Sequence, residues 1–314
     1  MIRLAIIKRY CKDRIKKIIT KRYCIKPSQL FNRNRYYIIR RRAPWAGFYA
    51  NYLYVAGHVV YALKKGYIPV VDMQNYPTLY NEDREFRGTK NAWEYYFEQP
   101  GGVDLTTAMN SGNYILSDYS TMRENIPYKD GPSYFFIDWN KSAPLEHVIA
   151  ERLQPKQDII ETAVDFWNHN CIGKTVLGVH YRGTDKKVEV KNHFLSASLE
   201  NYLHSVEKCI SEYNPNIILL CTDDEEAIRT FNERYPDKVI FSNAFRATEG
   251  ETEGIHLMKG VNRKHHNYLL GKEVIVDVTL LSYCDFFVFS HSNVATAAMF
   301  INNQKYRKTY FVED

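Results

Sequence analysis

The stretch TVLGVHYRGTDKK, Thr175 to Lys187, decides the fold class of this chain. An apolar, β-branched run stops abruptly in His180, Arg182, Thr184, Asp185 and Lys186, as a buried strand does when it delivers polar groups to its end. In open α/β sheets ligands sit beyond the carboxyl ends of parallel strands. Arg182 is therefore placed to hold a phosphate through paired hydrogen bonds, and His180 or Asp185 to contact a base, a sugar or an acceptor. Such an arrangement suits a nucleotide-sugar enzyme.

The same punctuation recurs downstream. A helix over 158–168 leads into the strand 175–181. A helix over 199–212, a strand over 216–221, a helix over 225–234 and a short strand over 239–242 follow. After a charged loop, 246–268, come a helix over 272–282, a strand over 285–290 and a helix over 293–301. Strands alternating with helices predict a parallel, doubly wound sheet. Its strand ends carry His180 with Arg182, Thr222 with Asp223 and Asp224, Ser242 with Asn243, and Ser290 with Ser292 and Asn293. The amides that open the Asn293 helix suit a second phosphate oxygen, although a Ser there is also an ordinary cap. Asp223 and Asp224 invite a metal, but acids at a helix start are favoured by the helix dipole in any case. One of the two remains a candidate for a ribose hydroxyl, and no metal is expected. His265 and His266 are adjacent, a spacing that points them apart and disfavours zinc.

Upstream, Gly47 opens a helix over 49–65 whose apolar face is Tyr52, Val55, Val59, Val60 and Leu63. YIPVVDM, Tyr67 to Met73, reads as a strand. Trp93, Tyr95, Tyr96 and Phe97 offer an exposed aromatic wall for an acceptor or, equally, core packing.

With 314 residues, 45% hydrophobic, two domains are the natural prior. The net charge of +6 hides a split. Residues 1–42 carry fifteen Lys or Arg against Asp13, a balance of +14, which leaves −8 for the rest. Leu4, Ile7, Cys11, Ile15 and Ile18 would line one side of a helix in that arm, with cations opposite. Such a helix suits anionic lipid, where each basic residue contributes roughly 1 kcal/mol; a solvated tail or a helix docked on the body is the alternative. Nucleic acid is not expected, because the body lacks a basic face. No apolar run reaches spanning length and no signal-peptide core appears, so a cytoplasmic protein, peripheral at the inner face of the cell membrane, is expected. Six scattered cysteines without a CxxC pair fit a reducing compartment.

HYRGTDKK, His180 to Lys187, resembles the HxR(R/G)TDK motif of the α1,6-fucosyltransferases, a family that includes the rhizobial nodulation and animal core fucosyltransferases within the superfamily of protein O-fucosyltransferases. Gly47 to Tyr76 is similar to that family's N-terminal loop, helix and strand. CTDDEEAIRTFNERYP, Cys221 to Pro236, resembles its second motif, and Gly271 to Phe300 its third. The resemblance implies a GT-B-like α/β fold, two Rossmann-type domains facing a cleft. The divisions are an arm at 1–42, an acceptor-side domain at 43–155 and a GDP-sugar-binding domain at 156–314.

By position, the resemblance assigns His180 and Asp277 to guanine, Arg182 and Ser292 to the pyrophosphate, Asp223 or Asp224 to the ribose region, and Glu189 with Lys186 to acceptor activation. Asp185 is a second choice for base or a structural tie for its loop. Ser290, Asn293 and Gly47 complete the donor side. Gly183 stands where core fucosyltransferases have a second Arg, and Asp185 to Glu189 is one residue shorter than the family's spacing. The implied activity is inverting, metal-independent transfer of fucose from GDP-fucose to a hydroxyl of a lipopolysaccharide- or capsule-type acceptor, oligosaccharide or lipid-linked. Another nucleotide-sugar, or a nucleotide-binding protein without catalysis, is the alternative.

Overall fold

A computed structural model of the protein describes residues 35–118, 125–127, 137–183, 197–247 and 262–313. The N-terminal half is built on three parallel strands in the order β2-β1-β3: β1 (Tyr36–Ile39), β2 (Ile68–Val71) and β3 (Tyr114–Leu116). Side chains alternate across β1. Tyr36 and Ile38 pack with Val70, Leu105 and Ala108, the last two on α3 (Leu105–Asn110), while Tyr37 and Ile39 face α1 (Phe48–Lys64). Thirteen of the seventeen residues of α1 are buried, because the helix is covered by its own sheet on one side and by α4 (Ala143–Arg152) and a helix of the C-terminal half on the other.

Strand β1 corrects the expected arm. Tyr36–Ile39 lies inside residues 1–42, yet it is the central, fully buried strand of this sheet. The four apolar residues were masked in the sequence by Arg33, Arg35 and the triplet Arg40, Arg41, Arg42 on either side. Residues 1–34, with the stripe Leu4 to Ile18, lie outside the described residues.

The C-terminal half holds five parallel strands in the order β6-β5-β4-β7-β8. They are β4 (Val176–Tyr181), β5 (Ile217–Thr222), β6 (Val239–Ile240), β7 (Phe286–Phe289) and β8 (Lys308–Phe311). Strands β4 and β5 are buried on both faces, hence their unbroken apolar runs. Leu177, Val179, Leu220 and Val288 point to one face, toward α6 (Leu199–Tyr213) and α7 (Glu225–Arg234). Val176, Leu219, Cys221 and Phe287 point to the other, toward α5 (Gln157–Asn170), α8 (His266–Tyr283) and α9 (Asn293–Asn302). Helix α8 begins six residues before the expected start, and β8 follows a sequence too short and charged to announce itself.

The two halves share one continuous apolar core. Trp93, Tyr95, Tyr96 and Phe97 are buried in it, the first three on the short helix α2 (Trp93–Tyr96), so the aromatic segment is packing and not an exposed acceptor wall. Tyr96 stacks on Tyr268 at 5.4 Å and 15° and donates to the Tyr268 carbonyl at 3.0 Å. Gly271 permits that approach, since a Cβ there would meet the Tyr96 hydroxyl at 2.3 Å. Arg87 closes the seam with both carboxylate oxygens of Asp158, at 2.8 and 3.1 Å, and with the Tyr268 hydroxyl at 3.0 Å.

Candidate active site

Because every strand of the C-terminal sheet is parallel, the residues that follow β4, β5, β6 and β7 gather along one edge. His180 is the penultimate residue of β4 and is buried on the face turned toward α8, in register with Cys221 of β5 and Phe289 of β7. Cys221 Sγ in turn reaches the Asp277 carbonyl of α8 at 3.8 Å. His180 and Asp277 are thus brought to one side of the sheet.

Asp277 is 9% exposed, and its Oδ1 accepts from Ser242 Oγ, just beyond β6, at 2.5 Å. Burial pushes its carboxyl up to about 6, while the Ser242 bond and the charge of Arg246 pull the other way. Arg246 itself is fixed by the Ser242 carbonyl at 2.6 Å and the Ala244 carbonyl at 2.8 Å, and its guanidinium lies 5.1 Å from the Phe241 ring. Sequence reading passed over Arg246 because it sits in an irregular segment with no periodic signal.

Arg182 leaves β4 half-buried and comes within electrostatic reach of Tyr80 from the N-terminal half. Burial drives the Tyr80 phenol up, and a hydrogen bond to the Phe48 backbone and the Arg182 charge oppose it. Tyr49 is likewise raised by burial and then by its neighbours Tyr52 and Asp277. The first turn of α1 therefore faces the carboxyl edge of the other sheet. Gly47 caps that helix in an extended conformation with open space where a side chain would stand, and no acid occupies the first turn. Its amides and helix dipole favour an anion there.

The remaining strand-end residues are held by local structure. Asp223 Oδ1 accepts from the Gly183 amide at 2.9 Å. Asp224 is buried and caps α7, accepting from the Glu226 amide at 2.9 Å. A Cβ on Gly183 would meet Asp224 Oδ2 at 2.2 Å, which explains why no second arginine stands at this position. Ser292 caps α9 through the Ala295 amide at 3.1 Å, and Asn293 is the first residue of that helix. Ser290 accepts from the Tyr202 hydroxyl at 2.8 Å. The capping reading accounts for the local geometry of Asp224 and Ser292. Asp185, Lys186 and Glu189 lie outside the described residues. Among the described residues no cluster of three potential metal ligands occurs, and no helix is long and apolar enough to cross a membrane.

The sequence model of the alpha-(1,6)-fucosyltransferase N- and catalytic domains matches residues 148–306, just over half of the chain. The chain belongs to this family. It is accordingly a glycosyltransferase of the fucosyltransferase type, and its α/β fold is GT-B-like. Solved structures agree on the fold of this α-(1,6)-fucosyltransferase family member. NodZ alpha-1,6-fucosyltransferase co-crystallized with GDP superposes with a TM-score of 0.55 at 16% identity, over 84% of this chain and 92% of that one. NodZ from Bradyrhizobium gives 0.54 at 16%, over 86% and 93%. POFUT1 in complex with GDP gives 0.50 at 12%, over 90% and 99%. A search of curated protein sequences finds no significant match.

Proposed function

We propose that the protein transfers fucose from GDP-fucose to a hydroxyl of a surface glycan, with inversion and without a metal. The observation that carries this reading is that Tyr80 lies within electrostatic reach of Arg182 and bonds to the Phe48 backbone at the start of α1, so that a guanidinium of one half and a helix N-terminus of the other share a neighbour. The GDP present in the NodZ and POFUT1 structures supports the choice of donor. His180 and the Asp277 carboxylate would receive the guanine edge, whose N–H donors suit a carboxylate acceptor. Arg182, with Ser292 and the Asn293 amide across the sheet edge, would hold the diphosphate, and Asp223 the ribose side.

In the reaction the acceptor oxygen attacks the anomeric carbon of fucose. The bond from that carbon to the β-phosphate oxygen breaks, and GDP leaves with the electron pair. Arg182 offsets the negative charge that builds on the departing diphosphate, the task a divalent cation performs in other transferases. The acceptor proton passes to a carboxylate base, for which Glu189 is the first choice and Asp185 the second. The charge of residues 1–42 supports peripheral attachment at the inner face of an anionic membrane, which vesicle co-sedimentation of the full chain would test.

Calorimetric titration with GDP, UDP and CMP tests the donor assignment. Preferential binding of GDP supports it, and preference for UDP removes it. Binding of GDP-fucose with neither GDP released nor sugar transferred to any glycan would leave a nucleotide-binding protein without catalysis.

A further inference from the structure

Three strand ends build the carboxyl edge of the N-terminal sheet. Strand β1 runs out into Arg40, Arg41 and Arg42, β2 into Asp72 to Tyr76, and β3 into Ser117 and Asp118. Arg40 donates to the Tyr76 hydroxyl at 2.7 Å and lies 5.2 Å from that ring, while its amide donates to Ser117 Oγ at 3.0 Å. Arg41 donates to Asn51 Oδ1 at 3.0 Å and lies over the Tyr54 ring at 5.1 Å. Asn51 also donates to the Ala46 carbonyl at 3.1 Å, so one side chain ties Arg41 to the turn that carries Trp45. Arg42 is exposed, 6.0 Å from the Tyr76 ring.

Two features of this edge ask for a ligand. Trp45 is 67% exposed, although Ala46 beside it and Phe48 at the start of α1 are buried. An indole face left in water beside stacked guanidiniums is a flat apolar platform of the kind on which a sugar ring rests. Close by in sequence, Arg40 and Arg41 act on the Tyr54 phenol together with the exposed carboxylate of Asp118, whereas the Asp72 carboxylate is buried and takes three hydrogen bonds from Asn75. Stacked, pre-organised guanidiniums bind carboxylate and phosphate through paired hydrogen bonds. The segment from Tyr76 to Tyr80 runs from this cluster to the neighbourhood of Arg182, which places the cluster on the acceptor side of the proposed site.

Resting on the fucosyltransferase reading, we infer that Arg40, Arg41, Arg42 and Trp45 form an acceptor subsite for an anionic glycan. The indole stacks on a sugar ring, and the arginines take the carboxylate of an acidic sugar or a phosphate attached to one.

Saturation-transfer NMR on the GDP-loaded full chain tests this with one oligosaccharide in three forms: neutral, bearing a glucuronate, and bearing a phosphate. At least one charged form is expected to bind ten or more times more tightly than the neutral one, and the stronger of the two identifies the anion. Arg42→Glu is expected to erase that preference, and Trp45→Ala to weaken all three forms, with the GDP dissociation constant of each variant kept at the wild-type value. Equal binding of the three forms, or an unchanged preference in Arg42→Glu, overturns the inference while leaving the donor reading intact. Failure of the wild-type chain to bind GDP overturns both.

Discussion

Ser242 Oγ donates to Asp277 Oδ1 across 2.5 Å, joining the end of β6 to the middle of α8 where burial has raised the carboxyl to about 6. Guanine offers two N–H donors on its Watson–Crick edge, and only the ionised carboxylate accepts both. GDP affinity is therefore expected to hold steady above pH 7 and to fall as the pH drops through 6. Titration calorimetry between pH 5 and 8 measures this, and a flat profile would remove Asp277 from base recognition.

The same group bears on stability, with the opposite sign to an ordinary salt-bridged acid. Its folded pKa lies above the unfolded value, so between pH 3.8 and about 6 the folded chain holds more protons than the unfolded one. Stability attributable to Asp277 falls as pH rises across that window, by about 3 kcal/mol in total at 1.36 kcal/mol per unit. Denaturant melts should show Asp277→Asn gaining on the wild type over that range and keeping a constant advantage above it.

Arg182→Ala should abolish fucose transfer and weaken GDP binding by roughly 1.5 to 3 kcal/mol, the range for a lost charge-assisted bond. Transfer kinetics and calorimetry on one preparation separate the two effects. Unchanged turnover would exclude Arg182 from the mechanism.

Gly183→Arg, which would introduce the arginine found in core fucosyltransferases, should not improve the enzyme. Its Cβ alone would sit 2.2 Å from Asp224 Oδ2, so the β4 end or the α7 cap must shift. Overpacking of this kind costs about 1 to 3 kcal/mol, and Gly183→Ala should already lower the melting temperature measurably.

At the seam the expected costs differ sharply. Arg87→Ala breaks a partly exposed ion pair and should cost no more than about 1 kcal/mol. Gly271→Val sets a Cβ 2.5 Å from the Tyr96 ring, with two further methyl groups to house, and should cost several times as much. Chemical denaturation of the two variants side by side checks the ratio.

Much of the C-terminal half could be read from sequence because its strands are buried on both faces and bounded by polar turns. The helix over 225–234 coincides with α7 residue for residue, since Asp224 announces its cap and Arg234 its end. The N-terminal half was harder. The four residues of β1 were hidden between arginines, and the rings of Trp93 to Phe97 gave no sign of which way they faced. Around the site, strand-end logic placed His180, Arg182, Asp223 and Ser242 along one edge, because parallel pairing forces it, whereas Asp277, in the middle of α8, was named only by the resemblance. Tyr49, Tyr80, Trp45 and Arg246 escaped, for they come into place only when separate segments meet. The family resemblance named candidate site residues, and it could not show that Asp224 and Ser292 already serve as caps.

The stacking of Tyr96 on Tyr268 fastens the N-terminal lobe to the very helix that bears Asp277. Gaping of the molecule like a bivalve shell would therefore have to tear that ring contact and its hydrogen bond, and would tug on the turn of helix from which Asp277 follows.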